Sequence, residues 1–199
     1  MWEAPGGLAD FLLAGYQHFG FQYPKFYKMD HLSKLGWLAA EILLGEGGRF
    51  GGERVGREGL EGRRFDPAEY RPEEIAVVLS NANSSLDTDY RYFASVMDIP
   101  SPALFVYTLP NIMIGEICIR HNFKGENAFF ITATFDAAFI GNYVRDLLEN
   151  ENARACICGW VEVLGDRYAA ALFLIENKLV GLPFNAENMD RLYNLNQPV

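Results

Sequence analysis

Residues 101–142 read SPALFVYTLPNIMIGEICIRHNFKGENAFFITATFDAAFIGN. A short extended piece is expected from Ala103. Pro110 suits the first turn of a helix, where its missing N–H would have no intrahelical partner and its fixed φ is already helical. That helix is expected to run through Ile119. Gly125 marks a turn, and AFFITA, Ala128–Ala133, reads as a short apolar strand. Ala137–Glu149 then repeats apolar residues at helical spacing, with Ile140, Val144, Leu147 and Leu148. Thr134, Phe135 and Asp136 therefore fall between a strand end and a helix start, where an aspartate caps well.

Working outward, the same alternation continues on both sides. Upstream, IAVVLSN (Ile75–Asn81) is β-branched and apolar, as a central parallel strand should be. Ser84–Met97 is expected to be helical, with Asp87 and Asp89 near its start. HLSKLGWLAAEILL (residues 31–44) carries an amphipathic pattern at Leu32, Leu35, Leu38, Ala39 and Ile42 that stops at Gly45. A short helix over Leu8–Ala14 precedes an irregular aromatic segment. Downstream, Ala155–Val163 and Ala169–Glu176 read as strands, and the tail as loop with a short helix. Strands alternating with helices predict an α/β fold with a mostly parallel five-stranded sheet and helices on both faces, in one domain over residues 1–199.

Residues 45–64, GEGGRFGGERVGREGLEGRR, interrupt this order. Eight glycines stand among five arginines and four glutamates. Glycine loses the most backbone entropy on ordering, so the segment is expected to be a flexible loop. Its arginines suggest a docking surface for an acidic carrier protein, and its glutamates weaken that reading. No strand precedes the glycines and no G-K-[ST] follows, so neither a P-loop nor a dinucleotide fingerprint is present.

Composition narrows the function. Half of the 199 residues are hydrophobic, with 15 Phe and 10 Tyr, enough for a sizeable core. The net charge of −9 argues against a nucleic-acid partner, whose phosphates need a basic face. No apolar run reaches the ~20 residues of a membrane span. The first residues lack the basic start of a signal peptide, so the expected compartment is the cytoplasm. Three cysteines, Cys118, Cys156 and Cys158, make a poor disulfide framework. Cys156 and Cys158 are expected to be small buried hydrophobes on alternating faces of a strand. No metal site and no cofactor are expected.

The ordered motifs resemble the β-ketoacyl synthases over roughly residues 28–178. Pro110-Asn111 with Gly115 matches the family's P-N-x-x-x-G helix, Phe123–Asn127 its glycine turn, and Thr132-Ala133 the residues just before its nucleophile. KMDHLSKLGWLAAEILL resembles the family's first long helix, IAVVLSNANSSLDT its V-G-V-V-x-G-T-G-x-G-G-L-x-T strand and turn, and RACICGWVEVLG its strand ending A-G-G-x-E. In active members a cysteine follows T-A. Here Thr134 stands in its place, flanked by Phe135 and Asp136.

The resemblance implies a thiolase-like half-fold, corresponding to the family's N-terminal half, with the family's histidine-bearing half not represented. It implies no catalysis. A threonine hydroxyl is a weak nucleophile without a base beside it, Phe135 would crowd the helix start, and Asp136 would repel a developing enolate. His121 reads as a polar turn residue. The implied role is a non-catalytic, chain-length-factor-like subunit, similar to partners in aryl polyene and flexirubin-type systems. Its partner would be a full-length ketosynthase in fatty acid or polyketide synthesis, with an acyl carrier protein as a further contact. The family's dimer strand corresponds to Ala128, Phe129, Phe130, Ile131, Thr132 and Ala133. Residues expected to face the partner's tunnel are Phe105, Tyr107, Leu109, Ile112, Met113 and Phe135. A second reading is a homodimer that binds acyl groups or carrier protein. A third is a residual acyl hydrolase or decarboxylase using Thr134 or Asp136.

Overall fold

The computed structural model describes residues 6–45, 65–150, 152–178 and 182–195. The glycine–arginine segment read as a loop lies, after Gly45, outside the described residues. The elements run α1 (Leu8–His18), α2 (His31–Leu44), β1 (Ile75–Asn81), α3 (Leu86–Val96), α4 (Pro102–Val106), α5 (Asn111–His121), β2 (Asn127–Ile131), α6 (Ala137–Glu149), β3 (Ala155–Leu164), β4 (Arg167–Glu176) and α7 (Ala186–Leu195).

Local signals explain the element ends. Asp30 caps α2 by accepting from the Ser33 N–H at 2.9 Å, and Gly45 closes it at φ +79°. Asn122, at φ +57°, closes α5. Asp136 caps α6 through the Phe139 N–H at 2.8 Å.

Among the described residues four strands, not five, form one sheet in the order β2-β1-β3-β4. β1 pairs in parallel with β2 and β3, and β4 returns antiparallel to β3. The mostly parallel expectation therefore holds at one strand fewer. Helices cover both faces. Residues of α1, α2 and α5 pack with Ile75, Val77, Leu79, Ile157 and Val161, whereas α6 and Met189 of α7 pack with Ala76, Val78, Cys156 and Cys158. The buried stripe Ile140, Val144 and Leu147 explains why α6 lies flat on its face, each such side chain contributing ~1.5–3 kcal/mol on burial.

Several expectations need correction. Cys156 and Cys158 share one face of β3 with Ile157 on the other, because side chains two apart point the same way. The piece expected to be extended from Ala103 is helix α4, started by Pro102 and capped by Ser101 through the Leu104 N–H. The strand drawn as Ala128–Ala133 is Asn127–Ile131. Thr132 only continues it by one bond to the Asn81 carbonyl, and Ala133 lies beyond it. The short first helix extends to His18.

Two glycines permit close approach. A Cβ at Gly36 of α2 would sit 2.3 Å from Met113 Sδ, so the two helices meet at the depth of a glycine. Gly159 lies within β3 at φ +146°, and a Cβ there would meet the Ala171 carbonyl oxygen of β4 at 2.1 Å.

Candidate functional site

In open α/β sheets, ligands gather at the carboxyl ends of parallel strands. Here those ends are the turn after β1, the junction after β2 and the end of β3. Thr134 lies in the junction between β2 and α6, and Asp136 caps α6 as its sequence position suggested. Thr134 is exposed, and its carbonyl accepts from Thr132 Oγ1 at 2.9 Å. Asp136 spends its carboxylate on the α6 cap, which occupies a helix N-terminus with negative charge. Among the described residues, no base is hydrogen-bonded to the Thr134 hydroxyl. Phe135 turns inward and stacks on Tyr193 of α7, ring centres 4.5 Å apart, and on Phe173 of β4. It is core, so it crowds nothing at the helix start.

The six residues expected to face a tunnel divide. Phe105 and Leu109 are exposed, at 58% each. Ile112 is half-buried against the α2 side. Tyr107, Met113 and Phe135 are buried within the chain itself. Met113 faces Gly36, and Tyr107 donates its hydroxyl to Glu116 Oε1 at 2.9 Å. Burial and that bond to a carboxylate raise the Tyr107 pKa above the ordinary tyrosine value.

The exposed pair belongs to a larger surface that the sequence pattern alone did not single out. Tyr90, Phe93, Met97, Phe105, Val106 and Leu109 are all exposed large apolar side chains on α3, α4 and the residues that directly follow them. Phe93 and Met97 are 68% and 82% exposed. The 90, 93, 97 spacing was the available signal, since it puts three such side chains on one helical stripe. Clustered exposed apolar side chains of this kind are the usual mark of interaction surfaces.

The dimer-strand candidates lie at the sheet edge. β2 has β1 on one side only, and along it Phe130 sits against Phe139 and Tyr143 of α6 while Ile131 is exposed.

The histidines do not converge. His31 starts α2 with Nδ1 3.5 Å from Asp87 Oδ2, and that contact, with the Gly165 N–H, holds the Asp87 pKa below its ordinary value. His121 is the last residue of α5, not a turn residue. It is buried, with Nε2 3.0 Å from Glu41 Oε1, and it stacks on Phe123. Glu41 is wholly buried and also meets Arg120 Nε at 3.1 Å, while Glu116 meets Lys25 at 2.7 Å. These charges seal the contact between α2 and α5. A shallow polar depression of about 480 Å³ beside Glu73, Lys124 and Asn127 lies at the opposite, amino end of the strands. No cluster of metal-ligating side chains occurs among the described residues, and no described helix is long and apolar enough to cross a membrane.

No family model matches the chain, and no curated protein does. Solved structures do. The chain is similar to the ishigamide ketosynthase/chain length factor, at TM-score 0.53 and 21% identity, over 74% of this chain and 40% of that one. It is also similar to a type II polyketide ketosynthase, AntDE, solved with its acyl-carrier protein AntF and bound to the hexaketide (TM-score 0.49, 18% identity, 74% and 40%). A third is the ketosynthase ApeO in complex with its chain length factor ApeC from Xenorhabdus doucetiae (TM-score 0.48, 14% identity, 72% and 51%). The chain thus has the α/β fold of the ishigamide ketosynthase/chain length factor, and it spans about half or less of the length of the three chains.

Proposed function

We propose that this chain is a non-catalytic, chain-length-factor-like subunit that pairs with a full-length ketosynthase in fatty acid, polyketide or aryl polyene synthesis in the cytoplasm. One observation supports it above the others. At the strand-to-helix junction where the resembled enzymes carry their nucleophile, this chain has an exposed threonine, a buried Phe135 and a carboxylate committed to capping α6. A fold shared with ketosynthase/chain length factor proteins but lacking a thiolate fits a structural partner. The exposed stripe on α3 and α4 and the open edge of β2 supply apolar surface for that partner.

The test is co-expression with the ketosynthase encoded nearest to this chain, followed by light scattering after size exclusion. A one-to-one complex is expected, and Ile131→Asp at the exposed end of β2 is expected to break it. A chain that ignores the ketosynthase overturns the reading.

The open β2 edge also favours a second reading, because the same edge can pair with its own copy. A homodimer that binds acyl groups or carrier protein would emerge from the same size-exclusion experiment. The residual hydrolase or decarboxylase reading requires an activity lost in Thr134→Ala or Asp136→Ala. An activity unchanged in both variants removes it.

A further inference from the structure

The turn after β1 is held by a carboxylate from another strand. Ala82 N–H donates to Glu162 Oε2 at 2.7 Å, and Asn83 N–H donates to the same oxygen at 3.3 Å. The other oxygen, Oε1, accepts from the Val163 N–H at 3.1 Å. Two successive backbone donors aimed at one anion form a small nest. The next residue, Ser84, stands at φ +53°, a conformation unfavourable for a residue with a Cβ. Buried Asn81 brackets it, accepting from the Ser84 N–H and donating to the Ser84 carbonyl, both at 2.8 Å. Such a turn persists only where its surroundings over-determine it.

The turn in its place anchors α3 and α4. Ser85 donates through Oγ to the Thr108 carbonyl at 2.7 Å, joining the start of α3 to the corner between α4 and α5. Ser95 Oγ accepts from the Ser101 N–H at 3.1 Å, and Tyr92 packs on Phe105 with ring centres 5.4 Å apart. Glu162 is thus joined through the Ala82–Ser85 turn to the start of α3 and, by the Ser85 bond, to the corner after α4.

We infer that Glu162 is the positioning residue of the α3–α4 apolar face, acting through the Ala82–Ser85 turn. The inference rests on the partner-subunit reading for the occupant of that face, a ketosynthase chain, but not for the pinning itself. The carboxylate touches no substrate. It fixes the angle at which Phe93, Met97 and Phe105 are offered.

The test compares wild type, Glu162→Ala and Glu162→Gln by backbone hydrogen exchange and by affinity for the ketosynthase. Glutamine keeps an acceptor oxygen for the Ala82 and Asn83 N–H groups but sets its NH2 against the Val163 N–H. Glu162→Ala is expected to speed exchange at least tenfold over residues 82–96 and near Thr108, leaving α6 unchanged, and to weaken the complex at least tenfold. Glu162→Gln is expected to show smaller changes in both than the alanine variant, and formate or acetate is expected to rescue the alanine variant in part. A uniform rise along the whole chain, or no change over 82–96, overturns the inference. If the alanine variant does not fold, Ser85→Ala decides. It cuts the next link and is expected to loosen residues 101–109 while Ala82 and Asn83 stay protected. Loosened Ala82 and Asn83, or an unchanged 101–109, then count against it. A wild-type chain that binds no ketosynthase removes the function reading, whereas the exchange data still decide the pin.

Discussion

The contact between α2 and α5 and the surface of α3 and α4 invert each other. The first holds its charges inside: Glu41 and Glu116 are buried, and the His121 side chain meets Glu41 where α2 and α5 come together. The second holds its rings outside: Phe93, Met97 and Phe105 face solvent on helices fixed by polar bonds at their ends. Both break the usual rule of apolar inside and polar outside, for opposite reasons. In the first region each buried carboxylate meets a cation, Glu41 at Arg120 and Glu116 at Lys25, while Glu41 Oε2 has no hydrogen-bond partner among the described residues. The α3–α4 surface leaves its large apolar side chains exposed.

The largest effect that separates the two regions is expected at Glu41. Glu41→Ala removes the wholly buried carboxylate that meets Arg120 Nε and His121 Nε2 and should cost ~3–5 kcal/mol of folding stability, read by chemical denaturation. A loss below ~1 kcal/mol would mean that the buried charges contribute little and the contrast is false. Gly36→Ala forces its Cβ against Met113 and should cost ~1–3 kcal/mol, because a filled core resists added volume. On the other surface, Phe105→Asp should leave folding within ~0.5 kcal/mol of wild type while weakening the ketosynthase complex at least tenfold. If it unfolds the chain, the ring is core and not interface.

Titration gives a smaller effect with opposite signs in the two regions. Burial pushes the Cys118 thiol up to about 11, and burial with the Glu116 bond raises the Tyr107 hydroxyl. Their protons are held more tightly folded than unfolded, so this stability is present below the ordinary thiol value and is lost as pH rises toward 11. Asp87, which ties α3 to His31 and Gly165, is depressed. Its contribution is present above the ordinary aspartate value and is lost as pH falls through the depressed one. Exchange measured against pH should therefore loosen α5 first in alkali and the start of α3 first in acid.

Much of the fold was legible because its signals are local. The apolar run Ile75–Asn81 and the helix Ala137–Glu149 match the structure at both ends, since a continuous β-branched run and an Asp cap each specify themselves. The α4 helix was not legible. Its stop before Tyr107 hides a single turn that Ser101 caps and Tyr92 packs upon. At the site, the cap at Asp136 could be read from one residue. The inward turn of Phe135 could not, because its partners Phe173 and Tyr193 lie far along the chain. His121 looked like a turn residue for the same reason: its partner, Glu41, belongs to another helix. Glu162 was read only as a motif letter, and its grip on the β1 turn appears only in three dimensions.

The sheet order also dictates when each strand can be satisfied during synthesis. β3 and β4 close on each other through Gly165-Asp166, with Gly165 at φ +60°, so this hairpin needs only its own residues and can form in ~1–10 μs. β1 is the opposite case. Its partners start at Asn127 and Ala155, so IAVVLSN leaves the ribosome long before either neighbour exists. At ~5–20 residues per second, the most apolar strand of the molecule waits seconds for its place. During that interval it is a client for whatever chaperone shields nascent β-strands.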